Sequence, residues 1–169
     1  MRRLGLDLTG DGAVTTSDVR ALDRKTAVEI FLREYFRKPR LHLLPQKLQA
    51  SVFDMYVNAG SNAVRILQGL LIQMGFDLQR DGVLGPLTAR AAQSAAKVDA
   101  GALVDAYGIA RRNYYFDLAE RRPASRKYAR SRAGHKGGWI KRAETFISPQ
   151  YHLSAADFAV RTAAWEAVQ

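Results

Sequence analysis

The sequence predicts an all-α protein, and three observations carry that expectation. Apolar residues recur three and four positions apart along most of the 169 residues, the period of a helix face. No stretch alternates apolar and polar residues as a half-buried strand does. Gly, Pro and Asp/Ser dipeptides cut the chain into helix-length pieces. Hydrophobic residues make up 47% and charged residues 25%, so there is apolar surface enough for a core and disorder is excluded as the main state. The chain has no cysteine, which excludes disulfides, thiolate catalysis and cysteine-based zinc sites. No apolar run is long enough to span a bilayer, and Met1–Asp7 lacks the hydrophobic region of a signal peptide.

The elements follow in order. Residues 24–36 place Val28, Phe31, Leu32 and Tyr35 on one helical stripe. Residues 46–58 repeat the pattern with Leu48, Val52, Met55, Tyr56 and Ala59. Gly60-Ser61 breaks the chain, and Ser61 is placed to cap a helix carrying Ala63, Ile66, Leu67, Leu70, Leu71 and Met74. Residues 75–86 form a loop with Asp81-Gly82 and Gly85-Pro86 as turn dipeptides; 76–84 is the single place for a short β-hairpin. Pro86 suits the first turn of a helix running to about Ala96. Asp99 caps a long helix bearing Leu103, Tyr107, Ala110, Tyr114 and Leu118, and Pro123 marks its end. Residues 133–138 form a glycine-rich loop, Trp139–Ile147 a short helix. Ser154 and Asp157 are spaced as a capping box for a last helix, with Phe158 and Trp165 inward.

Near the start, residues 7–18 form an oxygen-rich loop. Oxygen side chains fall at loop positions 1, 3, 5, 9 and 12, with Gly12 at the sharp turn and Val14 at the apolar anchor. A hard cation takes six to eight oxygens, and this spacing wraps a backbone around one. The loop resembles the calcium loop of EF-hands, and more closely that of dockerin modules. The resemblance implies Ca²⁺ held by Asp7, Thr9, Asp11, Ala13 (through its backbone), Thr15 and Asp18. The alternative is an Asx-type turn in which Ser17 or Asp18 caps the next helix.

The formal charge is +10, from 26 Lys and Arg against 16 Asp and Glu. Eleven basic residues lie between Arg111 and Arg142, opposed by Asp117 and Glu120 alone. Such a stretch is either a solvated basic face or a surface for polyanions, anionic cell-wall polymers and nucleic acid among them. Arginines interleaved with Tyr114 and Tyr115 could stack bases, yet no nucleic-acid recognition motif accompanies them.

Residues 51–68 contain Phe53-Asp54, Val57-Asn58, Gly60, Ala63 and Leu67-Gln68. This order resembles the second half of the family-108 glycoside hydrolases, lysozyme-like proteins. Asp81-Gly82-Val83-Leu84-Gly85-Pro86-Leu87-Thr88 is similar to the D-G-x-x-G-P-x-T turn of that family's C-terminal peptidoglycan-binding segment. Tyr35-Phe36 and Leu44-Pro45 are similar to the helix and Leu-Pro step upstream. The resemblance covers roughly residues 4–147. It implies a lysozyme-like helical bundle divided into 1–59 (the later part of the catalytic region), 60–147 (a peptidoglycan-binding-like segment) and 148–169 (a last helix). It implies an N-acetylmuramidase-type glycosidase acting on peptidoglycan at the bacterial wall or periplasm, with residues 111–142 meeting anionic wall polymers. The alternative is a non-catalytic wall-binding module or secretion activator.

One departure shapes the functional expectation. The family's catalytic acid lies in an E-G-G motif that this sequence does not contain, which leads to the expectation of a truncated form. Glycosidic cleavage needs a carboxylic acid of raised pKa, set in a partly apolar pocket, to protonate the leaving oxygen. The five glutamates, Glu29, Glu34, Glu120, Glu144 and Glu166, all fall in charged, helical contexts that read as solvated. Asp54 stands out in an apolar helix one turn before Asn58. It is either a cleft residue in a supporting catalytic role or a buried structural acceptor. Asn58, Tyr35 and Tyr56 are the candidate sugar contacts, although tyrosines at helical spacing are more often core. The histidines, His42, His135 and His152, have no zinc-hydrolase spacing.

Overall fold

The structure is a computed structural model, and it describes residues 7–165. Among them there is no strand; the elements are helices joined by short turns. The chain divides into two compact units, one ending at Pro39 and one beginning at Arg40.

In the first unit the loop of residues 7–15 leads into α1 (Thr16–Ala21), followed by α2 (Arg24–Phe31) and a wider π-turn over Leu32–Arg37. Both α-helices start on side-chain caps: Thr15 and Asp18 form a capping box, and Asp23 accepts from the Thr26 amide at 2.9 Å. The stripe expected over 24–36 is not the buried face. Val28 and Phe31 are exposed and Ile30 is buried. The π-winding that begins at Leu32 shifts the register of the later stripe positions, Leu32 and Tyr35.

The second unit opens with a 3₁₀ turn at Leu41–Leu43 and continues into α3 (Gln46–Ala59) and α4 (Asn62–Gln73). Pro45 precedes α3, and Gly60 ends it with φ of 58°, a conformation that glycine takes without a Cβ penalty. Ser61 does not cap α4. It adopts helical angles, and its hydroxyl accepts from Arg65 at 2.6 Å instead. Leu41, Leu44, Leu48, Val52 and Met55 pack with Ala63, Leu67 and Leu71 as the core of this unit.

α5 (Pro86–Arg121) runs through 36 residues but breaks at Asp99, which leaves helical space with φ −156° and ψ 106°. The Asp99 side chain caps the second half, accepting from the amides of Gly101 (2.8 Å) and Ala102 (2.9 Å). α5 packs against α3, α4 and α7 (Gly138–Glu144). α6 (Arg126–Ala129) and a lone antiparallel bridge between Arg130 and Lys136 form the turn into α7. α8 (Ala155–Thr162) begins on the capping box of Ser154 and Asp157, and Phe158 and Trp165 point inward. Among the described residues no helix is long and apolar enough to cross a membrane.

Two expectations need correction here. The hairpin near 76–84 does not form, because side-chain bonds from Gln68 and Asp81 pin that loop in a non-strand path. In the second half of α5, Leu103 and Tyr107 are buried, but Ala110, Tyr114 and Leu118 are half-exposed and the buried face continues through Arg111, Tyr115 and Ala119. A buried arginine requires a carboxylate from elsewhere in the fold, and helix period alone does not show that partner.

Candidate functional site

Asp54 sits on the α3 face turned toward α5 and α7. Its side chain is 13% exposed and is shared by two guanidiniums: Arg111, which has no exposure, and Arg142, which is largely in solvent. Arg142 Nε donates to both carboxylate oxygens at 2.7 and 2.9 Å. Burial pushes the Asp54 carboxyl up, but hydrogen bonds and charge from Arg142 and Arg111 outweigh that and hold it below the ordinary value. Asp54 is therefore a fixed anion and has no proton to donate.

Asn58 joins the same network. Its Nδ2 donates to the Tyr115 hydroxyl at 2.7 Å, and Arg111 reaches that hydroxyl at 3.5 Å. Tyr115 stacks on Trp139 with ring centroids 5.0 Å apart, and Trp139 lies 5.0 Å from Tyr128. The remaining Arg111 nitrogens, Nε and Nη1, are buried with no hydrogen-bond partner among the described residues. The guanidinium instead lies against the rings of Tyr115 (5.7 Å) and Phe146 (5.4 Å), where ring quadrupoles offset part of the lost hydration. Neither Asp54 nor Asn58 is sealed in hydrocarbon. Tyr56, two positions from each, falls on another side of α3 and is half-buried. Tyr35 lies in the first unit, stacked 5.3 Å from Phe31.

Glu144 corrects the view of the glutamates as solvated. It is 6% exposed. It accepts from Arg112 (3.0 Å), Lys136 (2.5 Å) and the Leu153 amide (2.9 Å), which anchors the segment after α7. Burial raises its pKa, and the Lys136 contact, the Leu153 amide and Arg112 together bring it below the ordinary value. The partners were invisible in sequence because Arg112 lies 32 residues upstream.

The turn of residues 81–88 is built around Gln68, which is 1% exposed in the apolar face of α4. Gln68 Nε2 donates to Asp81 Oδ1 (2.7 Å), the Val83 carbonyl (3.1 Å) and Thr88 Oγ1 (3.3 Å), and its Oε1 accepts from the Gly82 amide (2.8 Å). Gly82 has φ of 80°, and a Cβ there would lie 2.8 Å from the Arg65 guanidinium. Outside this knot is a cleft of about 350 Å³, with Asp77, Asp81, Val83 and Leu87 on its walls. Removing the amide in Gln68→Ala leaves the buried Gly82 N–H unsatisfied. The expected cost is about 1–3 kcal/mol, read by urea denaturation, together with faster hydrogen exchange at Gly82 and Val83.

In the loop of residues 7–18 the carboxylates turn to backbone amides. Asp7 accepts from Gly10 (2.7 Å) and Gly12 (2.8 Å). Asp18, fully buried, accepts from Leu8 (2.7 Å), Thr9 (3.0 Å) and Thr15 (2.7 Å). Those amides, led by Thr15 and Thr9, hold the Asp18 carboxyl far below the ordinary range. Among the described residues no three Asp, Glu or His side chains face a common point where a metal ion could sit. Both Asp18 carboxylate oxygens accept backbone amides in this conformation.

Comparison with known proteins gives two family matches in tandem. Residues 4–60 match the family described as Glycosyl hydrolase 108, and residues 62–144 match the one described as Predicted Peptidoglycan domain. Among solved structures, that of SagA from Brucella abortus is similar in fold, with a TM-score of 0.51 at 23% identity over 79% of this chain and 70% of that one. No curated protein matches the chain.

Proposed function

We propose, from the match of residues 4–60 to the glycosyl hydrolase 108 family and of residues 62–144 to a peptidoglycan domain, that these residues hold the glycan strands of bacterial peptidoglycan for an N-acetylmuramidase-type cleavage whose acid they do not supply. The two family matches mark a cell-wall-related, lysozyme-like protein.

One observation carries the finer reading. The two carboxylates held among the helices of the second unit are each locked between cations, Asp54 by Arg111 and Arg142 and Glu144 by Arg112 and Lys136. A general acid for glycoside hydrolysis needs the opposite setting, one that raises its pKa. The buried glutamate, Glu144, lies between two cations and stays ionised. Asp54 contributes by fixing Arg111 and, through Tyr115, Asn58, and so keeps the α3 wall in place. Arg121, Arg122, Lys127, Arg132 and Lys141 are exposed and available to anionic wall polymers.

The purified chain is expected to be retained on insoluble peptidoglycan at low salt and to leave the turbidity of a peptidoglycan suspension unchanged. A longer form bearing a Glu-Gly-Gly segment is expected to clear it. Clearing by the chain alone would overturn the missing-acid reading; failure to sediment with peptidoglycan would overturn the binding reading.

A further inference from the structure

We propose that the groove between α4 and α5 seats the glycan strand itself, gripping N-acetylated sugar rings rather than peptide stems; the inference rests on the peptidoglycan reading above. The groove has a volume of about 470 Å³. α4 lines it from Asn62 to Gln73 and α5 from Ala110 to Arg121. Each span covers twelve residues, about 16 Å of helix from first to last residue, long enough for several linked rings.

The chemistry of the walls is that of a neutral, hydroxyl-rich and amide-rich ligand. Gln73 and Asn113 are exposed, and their side-chain amides make no hydrogen bond among the described residues. Each amide offers both donors and an acceptor, which acetamido and hydroxyl groups require. Asn62 gives one Nδ2 proton to the Ala59 carbonyl at 3.2 Å and keeps its Oδ1 as an acceptor. Tyr114 is half-buried and held edge-on to Tyr115, with centroids 5.9 Å apart at 62°. That contact fixes a flat apolar surface with a hydroxyl at its tip, suited to the face of a sugar ring.

Gly69 lies on the groove wall beneath Arg80, with room for no more than ordinary contact between a Cβ there and the Arg80 side chain, 3.4 Å from its Nε. Arg80 lies across this gap and donates to the Arg65 carbonyl at 3.0 Å, which sets one side of the groove. Arg80, Arg121 and Asp117 also line the groove. The cleft outside the 81–88 turn lacks an aromatic wall and carries Asp77 and Asp81, so it is less suited to sugar.

The test uses the whole chain and three probes: intact peptidoglycan, peptidoglycan stripped of its stems by an amidase, and the N-acetylglucosamine tetramer followed by titration calorimetry. The wild type is expected to bind all three. Asn113→Leu and Gln73→Leu are each expected to weaken tetramer binding at least fivefold with an unchanged melting curve, since both side chains are exposed; Tyr114→Ala gives a second reading of the same groove. Wild-type affinity in these variants, or binding to intact but not stripped peptidoglycan, overturns the inference and leaves the peptidoglycan reading standing. Displacement of the tetramer by an oligonucleotide also overturns it. No binding to intact peptidoglycan overturns both.

Discussion

Asp54→Asn is expected to lower the unfolding free energy by about 3–5 kcal/mol, because it leaves the buried Arg111 guanidinium without its counter-charge. The asparagine is nearly isosteric, so the loss measures charge rather than packing. Urea denaturation followed by circular dichroism reads it. The pH dependence has a fixed sign. A carboxylate whose folded pKa is depressed contributes stability that is present above its unfolded value, near 3.8 for Asp54 and 4.5 for Glu144, and lost as pH falls through the lower folded value. The wild type is therefore expected to lose stability on acidification below about pH 4, and Asp54→Asn to show a shallower loss in that window. A variant as stable as wild type would assign Asp54 to solvent-facing chemistry in place of the ion-pair network.

Gly108→Ala is the second large effect, and it runs against helix propensity. In an exposed helix the change would gain about 1 kcal/mol. Here the new Cβ would lie 2.5 Å from Ile147 Cγ1 and 3.3 Å from the Phe146 carbonyl oxygen. Gly108 and Ile147 are both buried, so α5 and the turn after α7 must move apart. Overpacking of this kind costs about 1–3 kcal/mol. Shortening the neighbour tests the cause. Gly108→Ala combined with Ile147→Ala, which removes both Cγ1 and Cδ1 of the neighbour, should be less destabilised than the sum of the single changes, whereas additivity would show that the contact is not responsible.

Most of the helical frame of the second unit was legible because its punctuation is local. Pro45, Gly60, Pro86, Asp99 and Ser154 each start or stop an element within a residue or two of where their chemistry places the boundary. The family motifs around Asp54 and Asp81 were legible too. What was not legible depends on partners distant in sequence. The role of Asp54 is set by Arg111 and Arg142, 57 and 88 residues away. The burial of Glu144 and the shifted register of α5 have the same origin: period analysis treats arginine as solvent-facing, and a buried ion pair reverses that. Ser61 shows the converse, a local capping signal overridden because Arg65 competes for the hydroxyl. The groove amides Gln73 and Asn113 left no signal, since an exposed amide on a helix looks like any other surface residue until the facing helix is known.

The interruption at Asp99 has a further consequence for how α5 tolerates change in its length. In an unbroken helix, one inserted residue rotates everything downstream by about 100°, which would turn Arg111 away from Asp54 and Asn113 away from α4. Because Asp99 starts a new helix with its own side chain, the two halves are phased independently. Length variation just before it is taken up by the joint, and the orientation of the downstream half stays anchored by its own contacts.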